Sequence, residues 1–314
     1  PLPALTLPPP GRAVPPPAAR DATATGRRWS LHAGVNKLHP GRYPGVPELE
    51  AAEDDARTLA AAAQASGFEA KLLVGEAATV AAVLAEVDRA VAGLQRGDLF
   101  IMTFAGHGAL VEDYNGDQAP RKTDQAFCLF DRMLVDDEVV VRWGAFQPGV
   151  RVLILLDSCH SGTSPTAGAQ LETKKRGAGG ADDPLARLAA RSVGSPAVPR
   201  VRALRSEQHT TANQVQEAEL RAATSALDPA GAIERTRATI LRIAACRADQ
   251  TALEAGRHGL FTQTLIEIWN SGRFTGTYRD LVTQAGERTS PYQEPTLDYY
   301  GEEVQSFLRG QSFR

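Results

Sequence analysis

His107 stands between Gly106 and Gly108, and Cys159 lies in the run Asp157-Ser158-Cys159-His160-Ser161-Gly162. A thiol becomes a strong nucleophile when a nearby imidazole takes its proton, and the same imidazole can later protonate a leaving amine. Glycines on both sides of His107 let backbone N–H groups approach a substrate carbonyl, which suits an oxyanion hole. Neither residue type is sufficient alone, because free cysteine is among the most buried residue types. The chemistry requires a scaffold that brings both to one edge.

Such a scaffold is legible around them. Leu99–Ala105 and Val152–Leu156 are near-continuous apolar runs, the pattern of strands buried on both faces of a parallel sheet. The histidine follows the first run and the cysteine follows the second. Open parallel sheets bind ligands outside the carboxyl ends of their strands, so two neighbouring strands would deliver His107 and Cys159 together. Trp29–Val35, Phe68–Val74 and Ile240–Ala245 read as further strands, with shorter ones at Asp124–Asp131 and Pro295–Tyr299. Helical spacing marks Glu48–Ser66, a helix capped by Thr79 and running to Gln95, Gly259–Ser271 and Thr277–Arg288. Val135–Gly144 is a helix or turn. This alternation predicts an α/β fold, a sandwich with a largely parallel sheet.

The 314-residue chain has 43% hydrophobic and 23% charged residues, a globular balance that excludes wholesale disorder. A net charge of −3 gives no basic footprint for nucleic acid, and no apolar run approaches the roughly 20 residues that cross a bilayer. Three cysteines make no disulfide framework, which favours a reducing, cytoplasmic setting. Cys128 and Cys246 lie in apolar runs and are expected to be packing residues. Eight of the 20 prolines fall in Pro1–Pro17, so residues 1–28 are expected to form a mobile Pro-rich leader outside the fold. No aromatic residue occurs from Gln147 to Leu260. Gly162–Glu234 shows no sustained periodicity beyond a helical turn at Leu185–Arg191 or Gln214–Ala223, and residues 163–235 are expected to be a flexible processing loop.

Gly-His-Gly after one strand and Asp-Ser-Cys-His-Ser-Gly after the next resembles the caspase clan of cysteine peptidases, specifically the metacaspase-like proteins of bacteria. The resemblance runs from about Trp29 to Phe313. It includes Glu53-Asp54-Asp55-Ala56 on the first helix, Ala245–Ala252 at the start of a small-subunit-like part, and Gly259-Leu260-Phe261-Thr262. It implies a three-layer α/β/α sandwich of about six strands, with Cys159 as nucleophile, His107 as general acid/base, and the N–H groups of Gly108 and Cys159 as oxyanion hole. It also implies cleavage after Arg, with Lys as a second option, through acids at Asp55, Asp157 and Asp249. The implied partners are peptide substrates and an upstream activating protease, and a monomer is favoured.

Two departures limit what the resemblance carries. Ala105 stands where many metacaspases have Ser. Asp136-Asp137 matches only part of a calcium-binding cluster, because Thr166 replaces a further aspartate; no metal or other cofactor is therefore expected to be required, and Asp136-Asp137-Glu138 is expected to be a solvated helix start. A zinc site from His107, Cys159 and His160 lacks supporting spacing. A catalytically silent caspase-like scaffold and a non-peptide amidase remain as alternatives. If specificity is basic, Lys174, Lys175, Arg176, Arg187, Arg191, Arg200, Arg202 and Arg205 are candidate sites of self-cleavage or of cleavage by another protease.

Overall fold

A computed structural model describes residues 26–118, 122–159, 184, 199–247, 250–310 and 312–313. The Pro-rich head up to residue 25, the Leu185–Arg191 turn, His160, Thr166 and Asp249 lie outside them. So do all the basic residues of the middle segment before Arg200.

The apolar runs form one central sheet. Its strands are β1 (Arg28–Gly34), β2 (Glu69–Val74), β3 (Leu99–Ala105), β7 (Arg151–Asp157), β9 (Thr239–Ala244) and β12 (Thr296–Gly301), in the order β12-β9-β7-β3-β1-β2. Every pairing is parallel except that of β12 with β9. Between β3 and β7 the chain makes a small antiparallel sheet of β4 (Gly108–Glu112), β5 (Thr123–Cys128) and β6 (Met133–Val135). A third sheet joins β8 (Arg200–Val201), β10 (Leu253–Ala255) and β11 (His258–Gly259).

Side chains alternate across β3, as strand geometry requires. Phe100, Met102 and Phe104 enter one core with Val83 and Val87 of α2 (Val80–Gly93) and Val139 of α3 (Asp136–Trp143). Leu99 and Ile101 enter the opposite core with Phe261 and Leu265 of α6 (Leu260–Trp269) and Leu281 of α7 (Tyr278–Thr289). Helices thus cover both faces. The aromatic-free stretch contributes Val152, Ile154 and Ile240 to the first core and Leu153, Leu155, Leu241 and Ile243 to the second, so β-branched and leucine side chains suffice there.

The alanine content of α1 (Ala52–Ala65) has a steric cause. The helix lies so close to β1 that a Cβ on Gly34 would stand 2.4 Å from the Ala52 carbonyl oxygen and 2.8 Å from the Ala56 Cβ. That approach fixes Asp55, on the inner face of α1, in a fully buried position.

The middle segment departs from expectation. Past residue 199 it is ordered into β8, a 19-residue helix α4 (Ser206–Thr224) and α5 (Pro229–Arg235). The buried stripe of α4 is Ala212, Gln216, Leu220 and Thr224, and two of those four are polar, so hydropathy hides the period. Gln216 tolerates burial because its amide oxygen accepts from the Met133 N–H (2.8 Å) and its amide nitrogen donates to the Arg42 carbonyl (3.0 Å). The chain closes with α8 (Val304–Arg309).

Candidate active site

The register of β3 and β7 pairs Ala105 with Asp157, so both strands end side by side at the same edge. Gly106-His107-Gly108 and Ser158-Cys159 leave the sheet from there. His107 and Cys159 are each about 1% exposed. The imidazole Nε2 donates to the Pro47 carbonyl at 2.9 Å, since a carbonyl can only accept. That contact leaves Nδ1 as the nitrogen with the lone pair, and it is buried with no hydrogen-bond partner. Burial pushes the His107 pKa down to about 4; the Pro47 carbonyl opposes the drop and the charge of Arg202 adds to it. The Cys159 thiol donates to the Gln250 carbonyl at 2.7 Å.

The backbone N–H groups of Gly108 and Cys159 converge on one carbonyl, and it belongs to the chain itself. The Arg202 oxygen accepts from the Gly108 N–H at 3.1 Å and the Cys159 N–H at 3.2 Å. Two converging donors on a single carbonyl oxygen form the arrangement that stabilises an oxyanion.

The side chain of Arg202 is fully buried against three carboxylates. Its Nη2 bonds Asp55 and reaches Glu254 at 3.1 Å, while Nη1 lies 3.1 Å from Asp157 Oδ2. Nε donates to Glu254 at 3.1 Å, and Nη1 also donates to the Asp157 carbonyl at 3.1 Å. Burial opposes the guanidinium charge, but the field of Asp157, Asp55 and Glu254 outweighs it and holds the group above its ordinary range. Asp157 is pushed up by burial and by Asp55, with Arg202 and Thr262 pulling the other way.

Backbone donors hold the acids in place independently of the guanidinium. Asp55 accepts from the Gly259 N–H and from the His258 ring, Asp157 from the Thr262 N–H and hydroxyl, and Glu254 from the Glu50 N–H. Buried ion pairs cost desolvation, and only such added hydrogen bonds make them tolerable. Gly259 also leaves room: a Cβ there would stand 2.4 Å from Asp157 Oδ2 and 2.7 Å from Arg202 Nη1.

Of the residues nominated from sequence, Asp55 and Asp157 therefore meet at one guanidinium, and the N–H groups of Gly108 and Cys159 meet at the carbonyl of the same arginine, while the His107 ring is held by the Pro47 carbonyl. The third acid among the described residues is Glu254, which the sequence reading missed. No local spacing marks it, because its partner Arg202 is 52 positions away. Pro47, Gln250 and Thr262 were also missed, although Gln250 and Thr262 lay within quoted motifs.

A family model described as the caspase domain matches residues 39–303, well over half of the chain. The chain belongs to the caspase-domain family. Its caspase domain is also similar to metacaspases. Metacaspase-1 of Kluyveromyces lactis is 29% identical over 153 residues, 44% of this chain and 34% of that protein. Metacaspase-1B of Aspergillus oryzae is 36% identical over 92 residues, 27% of this chain and 22% of that protein. The matches thus span about a third or less of these curated relatives. Among solved structures, protein GSU0716 from Geobacter sulfurreducens superposes with a TM-score of 0.73 at 29% identity, covering 91% of this chain and 98% of that one. No helix among the described residues is long and apolar enough to cross a membrane.

The same caspase domain carries a second acidic group, at the far end of the β4–β5 hairpin from Gly108. Ligand atoms of Asp113, Asp117 and Asp124 lie within 4.8 Å of one another, as do those of Asp124, Asp136 and Asp137. The expected solvated helix start is overturned here: Asp137 and Glu138 are 2% and 3% exposed, and Glu138 pairs with Arg132 at 2.8 Å. Both carboxylate oxygens of Asp124 are buried without a partner. Burial and the neighbouring aspartates, Asp137 foremost, raise Asp124 to about 8; burial, then Asp136 and Asp117, raises Asp137 to about 7. Burial raises Asp136 to about 6 against the pull of Arg242. Oxygen-rich, mutually repelling carboxylates suit a hard divalent cation such as calcium, which takes 6–8 oxygen ligands.

Proposed function

We propose that this caspase-family protein is a cysteine endopeptidase that cleaves on the carboxyl side of arginine. The observation carrying this reading is the Arg202 residue, whose guanidinium fills the Asp55–Asp157–Glu254 pocket while its carbonyl rests on the N–H groups of Gly108 and Cys159. A substrate arginine would take the same place. Three carboxylates spread around a planar five-donor fork suit arginine better than the compact ammonium of lysine.

In this mechanism His107 Nδ1 takes the Cys159 proton, and the thiolate attacks the arginine carbonyl carbon. The Gly108 and Cys159 N–H groups hold the developing oxyanion. The protonated Nδ1 then gives its proton to the departing amine nitrogen, and water hydrolyses the thioester to a carboxylate and the free thiol. The Pro47 carbonyl fixes the tautomer by holding the Nε2 proton.

A panel of peptides ending in Arg, Lys or Asp tests the reading. Arginine peptides are turned over, aspartate peptides are not, and Cys159→Ala abolishes turnover. Equal inactivity of wild type and Cys159→Ala on every peptide would favour a silent scaffold instead; turnover of non-peptide amides alone would favour an amidase.

We further propose that the Asp113–Asp137 cluster takes calcium, against the expectation from Thr166 that no metal is required. The two unpartnered oxygens of Asp124 support this reading. Bound calcium would neutralise the repulsion at one end of the hairpin whose other end carries Gly108. The same panel with added calcium should show faster turnover in wild type and no response in Asp124→Asn. Because Asp124 titrates at about 8, protons compete for the site and calcium affinity should weaken as pH falls below that value.

The His107 environment gives a pH signature. A base is active while neutral, so activity is lost as pH falls through its pKa. With Arg202 in place that pKa is about 4. Once a basic residue no longer covers the site, both the burial and the added positive charge are relieved, and the pKa moves back towards about 6.5. Cleavage of the occupied site should therefore persist to lower pH than kcat/KM for an added peptide. Superimposable acid limbs in the two pH profiles would refute the assignment.

A further inference from the structure

Resting on that reading, we propose that Glu50 reads a second arginine two residues before the cleaved bond, so that the substrate class is an extended segment of the form Arg-x-Arg. The strand Arg200–Val201, continued by Arg202, shows how such a segment lies. Val201 pairs with Leu253 and Arg200 with Glu254 in antiparallel register, and the Arg202 N–H donates to the Ala252 carbonyl at 3.0 Å. Side chains two apart on a strand share a face. Arg200 and Arg202 therefore both turn toward acids, while Val201 packs against the second core. The spacing of two follows from strand geometry.

The contact made by Arg200 belongs to an anchored part of the fold. Its guanidinium bonds the Glu50 carboxylate and donates to the Glu48 carbonyl at 2.6 Å. The Glu48 carboxylate pairs with Lys37 at 3.0 Å, so Glu50 supplies the charge on Arg200. The backbone of Glu50 is held on both sides. Its N–H donates to Glu254 at 2.7 Å, and its carbonyl accepts from the Asn36 side chain at 3.2 Å. Three residues earlier, the Pro47 carbonyl holds the His107 ring. One loop between β1 and α1 thus steadies the imidazole and presents the Glu50 carboxylate, and Glu254 ties that loop to the pocket of the first arginine. A charge carried on a backbone fixed in this way is preorganised, which separates a subsite from a chance surface pair.

Arginine suits these two acceptors better than lysine. Nη1 reaches the Glu48 carbonyl while Nη2 reaches the Glu50 carboxylate, whereas an ammonium is a compact point charge. The pair is only partly shielded, with the Arg200 and Glu50 side chains 39% and 55% exposed, so its effect is far smaller than that of the buried pocket. Loss of the ion pair together with the carbonyl bond should lower kcat/KM about two- to ten-fold. The contact is the same in the ground and transition states, so the loss should fall on KM.

The test measures kcat and KM of the full chain on three acetylated reporter amides, Arg-Val-Arg, Ala-Val-Arg and Glu-Val-Arg. Each reporter displaces the same strand from the site, so that cost cancels in ratios taken on one enzyme. Wild type should prefer them in the order Arg, Ala, Glu at the first position, with the Arg-to-Ala ratio about two- to ten-fold and carried by KM. In Glu50→Gln that ratio should shrink to within about two-fold. In Glu50→Arg the Glu reporter should overtake the Arg reporter. Both substitutions keep the Glu50 N–H and carbonyl contacts, which are main-chain, so the loop stays anchored. Equal turnover of the three reporters by wild type, or a wild-type order that persists in both variants, would overturn the inference and leave the peptidase reading standing. No turnover of any reporter by wild type would overturn the peptidase reading itself and the inference with it.

Discussion

Asp157→Asn should lower kcat/KM for an arginine peptide by about 30- to 5,000-fold. Asp157 is 3% exposed, and its Oδ2 faces the guanidinium at 3.1 Å while accepting both donors of Thr262. Truncating one partner of a buried, hydrogen-bonded charge pair costs about 2–5 kcal/mol. Each 1.36 kcal/mol is a factor of ten in rate. Asparagine keeps the shape and one acceptor, so the loss reports charge rather than volume. The pocket holds arginine equally in ground and transition states, and the effect should fall mainly on KM. Alkylation of Cys159 by a small reagent should proceed at the wild-type rate, because the thiol and His107 are untouched. Unchanged kcat/KM in Asp157→Asn would remove the pocket from the proposed mechanism.

Gly259→Ala should be nearly as damaging, for a different reason. Its φ of −66° and ψ of 149° are open to any residue, so alanine brings no backbone strain. The added methyl carbon, however, would stand 2.4 Å from Asp157 Oδ2 and 2.7 Å from the guanidinium. Either the carboxylate moves and gives up its Thr262 bonds, or the arginine withdraws. Losing two hydrogen bonds to a charged group, at about 1.5–3 kcal/mol each, predicts a fall in kcat/KM of at least about 100-fold. Turnover of an arginine peptide by Gly259→Ala, beside a thermal melt showing that the variant still folds, checks this. Wild-type turnover would show that the site has room the structure does not contain.

These two residues also show what kind of information each level holds. Gly259 and Thr262 belong to a quoted motif, yet the motif alone does not say why its first residue lacks a side chain; the reason is a carboxylate 102 positions earlier. The strands and most helices were legible because periodicity is a local property. β3 is apolar apart from Thr103 and β7 is apolar from Val152 to Leu156, and Thr79 caps α2 through the Ala82 N–H as the sequence implies. Only a turn of α4 was legible, at Gln214–Ala223, because its buried stripe includes Gln216, made tolerable by partners elsewhere in the chain, and Thr224, whose hydroxyl donates to the Leu220 carbonyl one turn back. The processing loop expected over residues 163–235 likewise gave way past residue 199 to ordered structure.

The sequence by itself determined the α/β alternation and the strand-end placement of His107 and Cys159, and its resemblance to metacaspase-like proteins implied the acids Asp55 and Asp157 as partners for a basic group. Only the tertiary structure decided which basic group that is. Arg202 is separated from Asp55 by 147 positions and from Asp157 by 45, and nothing local distinguishes it from the other arginines of the segment. A buried guanidinium is stable only where several carboxylates and their backbone donors converge, and convergence of that kind exists in three dimensions alone.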